Sequence, residues 1–511
     1  MNGAESLVRT LLGCGVDTCF ANPGTSEMHF VAALDRIPGM HCVLALFEGV
    51  ATGAADGYAR MAGRPAATLM HCGPGLANGL ANLHNARRSA SPVVNCVGDQ
   101  ATYHRPLDSP LTADTEGFAR GVSHWVRTAG QASEVGRLAA LAVQAARTAP
   151  GQIATLVLPS DTCWDEGGAV AAPLPAPAAA PVAPLALETA LRVLRSGEPA
   201  VLLLGGAALR AGPLADAHRI AAATGARLLA PLSNARVERG RGRYPIERVP
   251  YPVDAALAQF ADARHLILVN ARAPVAFFAY PNKPGRLHGG AQVHELARAE
   301  QDGAAALAAL AEALGAPRVA APEAPRPEPA RGAINPDAFA QSLAALLPEQ
   351  AVVVDESITF GRSLFPGTHG AAPHDWLQLT GGAIGEGLPL ATGAAVASPG
   401  RRVVTLQADG SALYTVQALW TQARERLDVT TVLLSNRAYR ILQGELRAVG
   451  ANPGPTALGL MDLGNPDLDW VRIAEGFGVP AARAETMEAF NDLFAQSCAQ
   501  RGPFLIELAT G

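Results

Sequence analysis

Lysine is nearly missing from this chain. Lys283 is the only one in 511 residues, and every other basic residue is an arginine. A Schiff-base or pyridoxal mechanism would have to use that lysine, inside the turn-like Pro281-Asn282-Lys283-Pro284-Gly285, and is set aside. Cysteine is sparse and odd in number, seven in all, with no Cys-x-x-Cys pair. A disulfide framework or a structural zinc is therefore not expected, and a reducing cytoplasm fits. The start, Met1-Asn2-Gly3-Ala4-Glu5, lacks the basic and apolar regions of a secretory leader, which again predicts a cytoplasmic protein. An excess of one charge is lacking too. With 40 basic and 45 acidic residues the formal charge is −5, which gives nucleic acid or an anionic membrane no electrostatic hold. The uncharged run 167–187 could reach across a bilayer, but it holds five prolines, each removing a helix donor. It reads as a linker.

Apolar residues are plentiful, at 49% against 17% charged, so the chain can bury large cores. Its length suggests about three domains of ~150 residues. Two proline-rich stretches, 173–184 and 317–329, have the stiff composition of connectors. They leave segments 1–172, 185–316 and 330–511. Each alternates short apolar runs with helical patterns; the runs at 42–47, 92–97, 201–204, 265–269, 351–354, 402–407 and 429–434 are the plainest. Continuous apolar strands between helices predict parallel sheets covered on both faces. The expected fold class is α/β, with three doubly wound parallel-sheet domains.

The run 402–407 leads into Ala408-Asp409-Gly410-Ser411, and the run 429–434 into Ser435-Asn436. In an open parallel sheet both strand ends lie on the carboxyl edge, where ligands bind. An Asp and an Asn delivered there offer hard oxygen ligands, which suit a small divalent ion that also holds phosphate. Taken alone, the same residues read more simply as a turn and a cap. The whole pattern, however, resembles the thiamine-diphosphate enzymes of the pyruvate decarboxylase, benzoylformate decarboxylase and acetolactate synthase type. Their signature is Gly-Asp-Gly, a spacer, then Asn-Asn. Ala408 stands here for the first Gly and Ser435 for the first Asn. The resemblance implies Asp409, Asn436 and the backbone carbonyl of Ala438 as Mg²⁺ ligands, with Gly410 and Ser411 beside the cofactor. It also implies a pyrimidine-binding domain over 1–172, a central domain over 185–316 and a diphosphate-binding domain over 330–511.

The N-terminal segment carries the matching half. Phe47-Glu48-Gly49-Val50-Ala51-Thr52-Gly53-Ala54-Ala55-Asp56-Gly57-Tyr58-Ala59-Arg60 resembles the family's glutamate helix, with small residues for close helix packing. An isolated first-turn glutamate would be a dipole partner; the resemblance implies that Glu48 activates the cofactor through its aminopyrimidine. Ala21-Asn22-Pro23-Gly24-Thr25-Ser26-Glu27 resembles the loop that reaches the substrate carboxylate in benzoylformate decarboxylases, with Ser26 as the active-site serine. A Pro-Gly turn with Ser26 as a helix cap is the local alternative. His71, in Met70-His71-Cys72-Gly73-Pro74-Gly75, stands at a strand end beside a Gly-rich helix and is an acid/base candidate. In Thr380-Gly381-Gly382-Ala383-Ile384-Gly385, the resemblance makes Ile384 the aliphatic support of the bent cofactor and Gly382 the carbonyl donor. Asp355-Glu356-Ser357-Ile358-Thr359 resembles a diphosphate loop, giving Ser357 and Thr359 as hydroxyl contacts.

The middle segment departs from the family. Gly205-Gly206-Ala207-Ala208 is not a dinucleotide fingerprint, and FAD is not expected. Ala279 stands where benzoylformate decarboxylases place a second histidine, and Glu445 replaces an aromatic pocket residue near Leu442. These changes predict a pocket short of proton donors and containing a carboxylate that is costly to bury unpaired. The expected activity is that of a thiamine-diphosphate- and Mg²⁺-dependent 2-oxo acid decarboxylase and carboligase, acetolactate synthase-like, with a small aliphatic 2-oxo acid as donor. A benzoylformate decarboxylase-like simple decarboxylase is the alternative, as is a flavin- or acyl-CoA-handling lyase of the same family. Since the family builds the cofactor site from two subunits, a homodimer or homotetramer is expected.

Overall fold

The computed structural model describes residues 1–511. Strands alternating with helices form three sheets in sequence order, and central strands such as Ala66–Met70, Val93–Asp99, Ala200–Leu204 and Val429–Ser435 are buried along their whole length. The first orders its strands His41–Leu44, Thr18–Asn22, Ala66–Met70, Val93–Asp99, Ile153–Pro159 and Trp125–Thr128, all parallel. The second runs Glu247–Arg248, Arg227–Ala230, Ala200–Leu204, His265–Val269 and Gln292–Ala297, also parallel. The third runs Ala481–Ala484, Phe504–Ala509, Val429–Ser435, Val403–Ala408, Val352–Glu356 and His374–Gln378 in parallel. Val237–Arg239 is added antiparallel at its edge. The class is α/β with three parallel-sheet units.

Both proline-rich connectors lack regular structure over most of their length, because proline withholds a donor and disfavours helix in the residue before it. One feature crosses the segment boundaries: the short strand Val237–Arg239 comes from the middle segment yet pairs with His374–Gln378. No periodicity marks three residues as an edge strand, so the sequence carries no sign of this exchange. No helix is long and apolar enough to cross a membrane.

Four helices position the site. Helix α1 is Glu48–Ala62, α2 is Cys72–Arg88, α3 is Gly387–Ala397 and α4 is Arg440–Ala448. Helices α1 and α3 join the first and third units at backbone distance. A Cβ on Gly57 would lie 2.0 Å from the Leu390 carbonyl oxygen, and one on Gly393 would lie 1.7 Å from that of Ala54. Only glycine permits such an approach.

In the first sheet, the chain leaves Thr18–Asn22 on one side and returns to Ala66–Met70 on the other. In the third, Val352–Glu356 and Val403–Ala408 flank the corresponding reversal. Such reversals open a crevice at the carboxyl edge, and the loops that leave these strands carry the candidate residues.

Candidate active site

The loops after Thr18–Asn22 and Ala66–Met70 bring Ser26 and His71 together. Ser26 Oγ lies 3.0 Å from His71 Nδ1 and donates to Glu27 Oε1 at 2.6 Å. The second Glu27 oxygen lies 2.9 Å from the same Nδ1 and accepts the Gly24 N–H at 2.7 Å. Glu27 is 3% exposed, so a buried carboxylate fixes both groups. Cys72 Sγ completes the cluster at 3.2 Å from Ser26 Oγ. Burial pushes this thiol up to about 11. Glu48, also buried, opens α1 and accepts from Asn78 Nδ2 at 3.0 Å. A Cβ on Gly75 would lie 3.0 Å from Glu48 Oε1 and 3.5 Å from His71 Cβ. Gly75 is therefore the point at which these two side chains share a wall.

On the third sheet, Val403–Ala408 and Val429–Ser435 are neighbours, so Asp409 and Asn436 follow adjacent strand ends. Asp409 Oδ2 accepts the N–H groups of Asn436 and Arg437 at 2.9 and 2.6 Å, while Oδ1 accepts that of Gly410 at 2.8 Å. Burial raises this carboxyl above the usual range, against those three donors. Asn436 Oδ1 accepts from Ala438 N–H at 2.9 Å, and the Ala438 carbonyl accepts from Arg440 N–H. Asp409 Oδ1, Asn436 Oδ1 and the Ala438 carbonyl each accept one bond and keep a second lone pair, whereas Asp409 Oδ2 already accepts two. Tyr439 packs its ring against Gly410, where a Cβ would lie 2.4 Å from it, and Ser411 is buried beside them.

The segment 380–387 lies between these groups and the middle unit. Glu356, fully buried, accepts from the N–H groups of Gly385 and Gly387, both at 2.7 Å, and from Gln407 Nε2 at 2.9 Å. Burial raises its carboxyl. This carboxylate shapes the start of α3. Gly382 adopts φ +78°, a left-handed conformation suited to glycine, and a Cβ there would lie 2.8 Å from the Phe277 ring. Ile384 is half-buried although apolar, as a side chain facing an open crevice would be. Ser357 is buried and donates its hydroxyl to Asp355, whereas Thr359 stands half-buried.

Glu445, on α4, is not an unpaired carboxylate. Tyr251 OH donates to Oε1 at 2.8 Å and Tyr280 OH to Oε2 at 2.9 Å, both from the middle unit. This corrects the expectation of a carboxylate stranded in an apolar pocket. The same middle-unit segment brings Phe277 against Tyr251, with ring centroids 5.6 Å apart. Ala279, exposed between Phe278 and Tyr280, contributes only a methyl group, and Leu442 is exposed on α4.

The donor sets fit the groups that the sequence implies. A buried carboxylate, an amide oxygen and a carbonyl are the hard ligands that Mg²⁺ prefers. Gly382 is left-handed and Ile384 is half-buried beside it, which leaves an apolar side chain available to a bound ring system. Glu48 is engaged by Asn78 through Oε2, and a carboxylate so held is of the kind that can accept from a ring N–H. Glu27 lies three residues after Gly24, a spacing that could have marked it as the carboxylate closing that turn. Tyr251, Tyr280 and Glu356 gave no such signal, because their partners lie far away in the chain.

Residues 1–123 match the family described as thiamine pyrophosphate enzyme, N-terminal TPP binding domain, and residues 367–508 match its C-terminal TPP binding domain. A Mycobacterium tuberculosis protein, provisionally named acetolactate synthase large subunit IlvX, is 55% identical over 514 residues, covering 99% of each chain. Benzoylformate decarboxylase of Pseudomonas aeruginosa is 31% identical over 531 residues, covering 97% of this chain and 96% of its own. Among solved structures, a thiamine diphosphate-dependent 4-hydroxybenzoylformate decarboxylase of Rhodococcus jostii RHA1 superposes with a TM-score of 0.85 at 25% identity. That match covers 100% of this chain and 99% of the other.

Proposed function

The chain belongs to the thiamine pyrophosphate enzyme family, and we propose that it is a Mg²⁺-dependent 2-oxo acid decarboxylase and carboligase of the acetolactate synthase kind. Its donor, on this reading, is a small aliphatic 2-oxo acid such as pyruvate. The observation that carries the choice is the scarcity of proton donors. His71 is the one imidazole in the Ser26–Glu27 cluster, and Ala279 supplies none from the middle unit. The 55% identity to a protein provisionally named as an acetolactate synthase subunit points the same way.

Thiamine diphosphate, when bound, supplies the nucleophilic carbon and the electron sink that loss of CO₂ requires. The residues of this chain do the rest. Glu48, oriented by Asn78, holds a hydrogen bond to the ring nitrogen of the aminopyrimidine. Gly382 offers its carbonyl to the exocyclic amino group, and Ile384 supports the bent conformation. Asp409, Asn436 and the Ala438 carbonyl hold Mg²⁺, while Thr359 and Ser411 offer hydroxyls to the diphosphate. Ser357 takes the same role on this reading, although its hydroxyl donates to Asp355 in the structure. Ser26 binds the substrate carboxylate, and His71, fixed by Glu27, holds or delivers a proton at Nδ1.

A second copy of the chain completes each site in this proposal. Leu46, next to the Glu48 helix, and Tyr414, next to the Asp409 loop, are 44% and 55% exposed. Large apolar groups beside both half-sites suit burial against a partner. A homodimer or homotetramer in the cytoplasm is the proposed state.

One observation favours a second reading, simple decarboxylation of an aromatic 2-oxo acid. Because two tyrosine hydroxyls satisfy Glu445, an aromatic ring nearby would not strand a charge. The deciding experiment incubates the enzyme, thiamine diphosphate and Mg²⁺ with pyruvate or benzoylformate, following CO₂ and the ratio of acetolactate or acyloin to aldehyde. Carboligation from pyruvate supports the proposal. Efficient benzaldehyde formation with little product from pyruvate replaces it with the second reading.

A further inference from the structure

Glu27, His71 and Cys72 place three unlike metal-ligating atoms within 4.8 Å of one another. His71 Nδ1 is 2.9 Å from Glu27 Oε2 and 3.8 Å from Cys72 Sγ. Ser26 Oγ lies 3.0 Å from the same nitrogen and 3.2 Å from the sulfur. Zinc takes sulfur at about 2.3 Å and nitrogen or carboxylate oxygen at about 2.0–2.2 Å, so tetrahedral ligand atoms sit about 3.4–3.6 Å apart. The Nδ1–Oε2 and Nδ1–Sγ distances need adjustments of about half an ångström or less to reach that spacing. The backbone is already committed: Cys72 adopts φ +53°, a conformation non-glycine residues seldom hold unless the surroundings impose it. Access exists as well. Glu27 is shut away at 2% side-chain exposure, but His71 keeps 23%.

We propose that this cluster is a binding site for a thiophilic divalent cation, zinc above all, separate from the hard-oxygen site at Asp409 and Asn436. Glu27, His71 and Cys72 supply three ligands, and the fourth position is left for water or the Ser26 hydroxyl. Thiolate and imidazole select zinc over Mg²⁺. Binding releases the Cys72 thiol proton to solvent, and a neutral His71 that carried its proton on Nδ1 coordinates as the Nε2–H tautomer with no net proton lost from the ring. Occupancy ties up His71 Nδ1 and crowds Ser26, so zinc excludes the 2-oxo acid. That consequence rests on the function proposed above; the binding itself does not.

The test uses the holoenzyme, saturated with thiamine diphosphate and Mg²⁺. Zn²⁺ binding is measured by equilibrium dialysis with metal analysis, and Co²⁺ serves as the spectroscopic probe. The expected results are one zinc per chain retained against excess Mg²⁺, a sulfur-to-cobalt charge-transfer band, and inhibition competitive with the 2-oxo acid. Cys72→Ala loses the band and the retained zinc. Cys72→Ser, with the wild-type circular dichroism and melting midpoint, loses the band without loss of the fold. Absence of the band in the wild-type enzyme, or a band undiminished in both variants, overturns the site. Zinc bound through Cys72 that leaves turnover unchanged overturns the inhibition, and with it the roles given to His71 and Ser26.

Discussion

Replacing Arg60 with glutamine should cost this protein a large part of its stability, by an amount that grows with pH. Arg60 stands where α1 meets the third unit and is buried with both of its carboxylate partners, side-chain exposures being 1%, 0% and 1%. Its Nη2 donates to Asp56 Oδ2 and Glu386 Oε1, each at 2.6 Å, and its Nε donates to Asp56 Oδ1 at 2.8 Å. Burial opposes ionisation of both acids. At Asp56 the Arg60 charge and its hydrogen bonds outweigh burial and hold the carboxyl below its usual range, whereas burial keeps Glu386 well above it. Taking one partner from a buried ion pair costs about 3–5 kcal/mol, because a buried charge loses its compensation. Asp56 would keep hydrogen bonds from Ser89 and Ser91, and Glu386 can take up a proton, so about 3 kcal/mol is the expected loss near neutral pH. Without Arg60 both acids titrate higher folded than unfolded, so the folded state binds the extra protons. The penalty therefore increases as pH rises above about 4, the unfolded carboxylate value. Urea unfolding of wild type, Arg60→Gln and Arg60→Gln/Glu386→Gln at about pH 5.5 and about pH 8 reads this directly. The double variant should recover much of the loss. A single-variant loss below about 1 kcal/mol, or an identical loss with and without Glu386, refutes the reasoning. Arg60 also donates to the Gln378 carbonyl at 2.7 Å and to Thr380 Oγ1 at 3.1 Å. These lead into Gly382 and Ile384, so cofactor affinity should fall together with stability.

Asp409→Ala should weaken Mg²⁺ and thiamine diphosphate together in calorimetric titrations, since the ion bridges the diphosphate to the protein; normal cofactor binding would remove Asp409 from that role. His374 is held neutral, because burial and then the Arg239 charge take it down to about 3. Its contribution is present above about pH 6.5, the unfolded value, and is lost as pH falls toward about 3, by up to about 5 kcal/mol. His374→Gln should flatten the acid limb of a stability–pH curve, and an unchanged limb would show that other groups govern it. Ala279→His should raise the aldehyde fraction from pyruvate by returning a proton donor to the pocket, and an unchanged product ratio would remove position 279 from product control.

Much of the architecture was readable because parallel sheets write themselves into sequence as apolar runs between helices. The runs at 92–97, 201–204, 265–269 and 429–434 coincide closely with observed strands. Candidate residues at strand ends were legible for a related reason. The topological reversal of the first sheet brings the loops of Ser26 and His71 together, and Asp409 and Asn436 become neighbours because their strands pair directly. What escaped were side chains whose partners are remote. Glu356 bonds to residues 385–387, Arg60 reaches Glu386, and Tyr280 reaches Glu445 across 165 positions. No local spacing records such pairs. The Glu445 case shows the cost: from sequence it was a charge without a partner, and in the fold two phenols supply one. The strand Val237–Arg239 escaped for the same reason, since three residues are too few to show a period.

Glu48→Gln separates service to the cofactor's pyrimidine from service to the fold. The amide keeps an acceptor toward Asn78, so the helix start and cofactor binding should survive, as read by circular dichroism and calorimetric titration with thiamine diphosphate. Turnover of the 2-oxo acid should fall by ~10²-fold or more, the scale of a lost acid/base group. Near wild-type turnover in a variant that binds thiamine diphosphate normally would contradict the account.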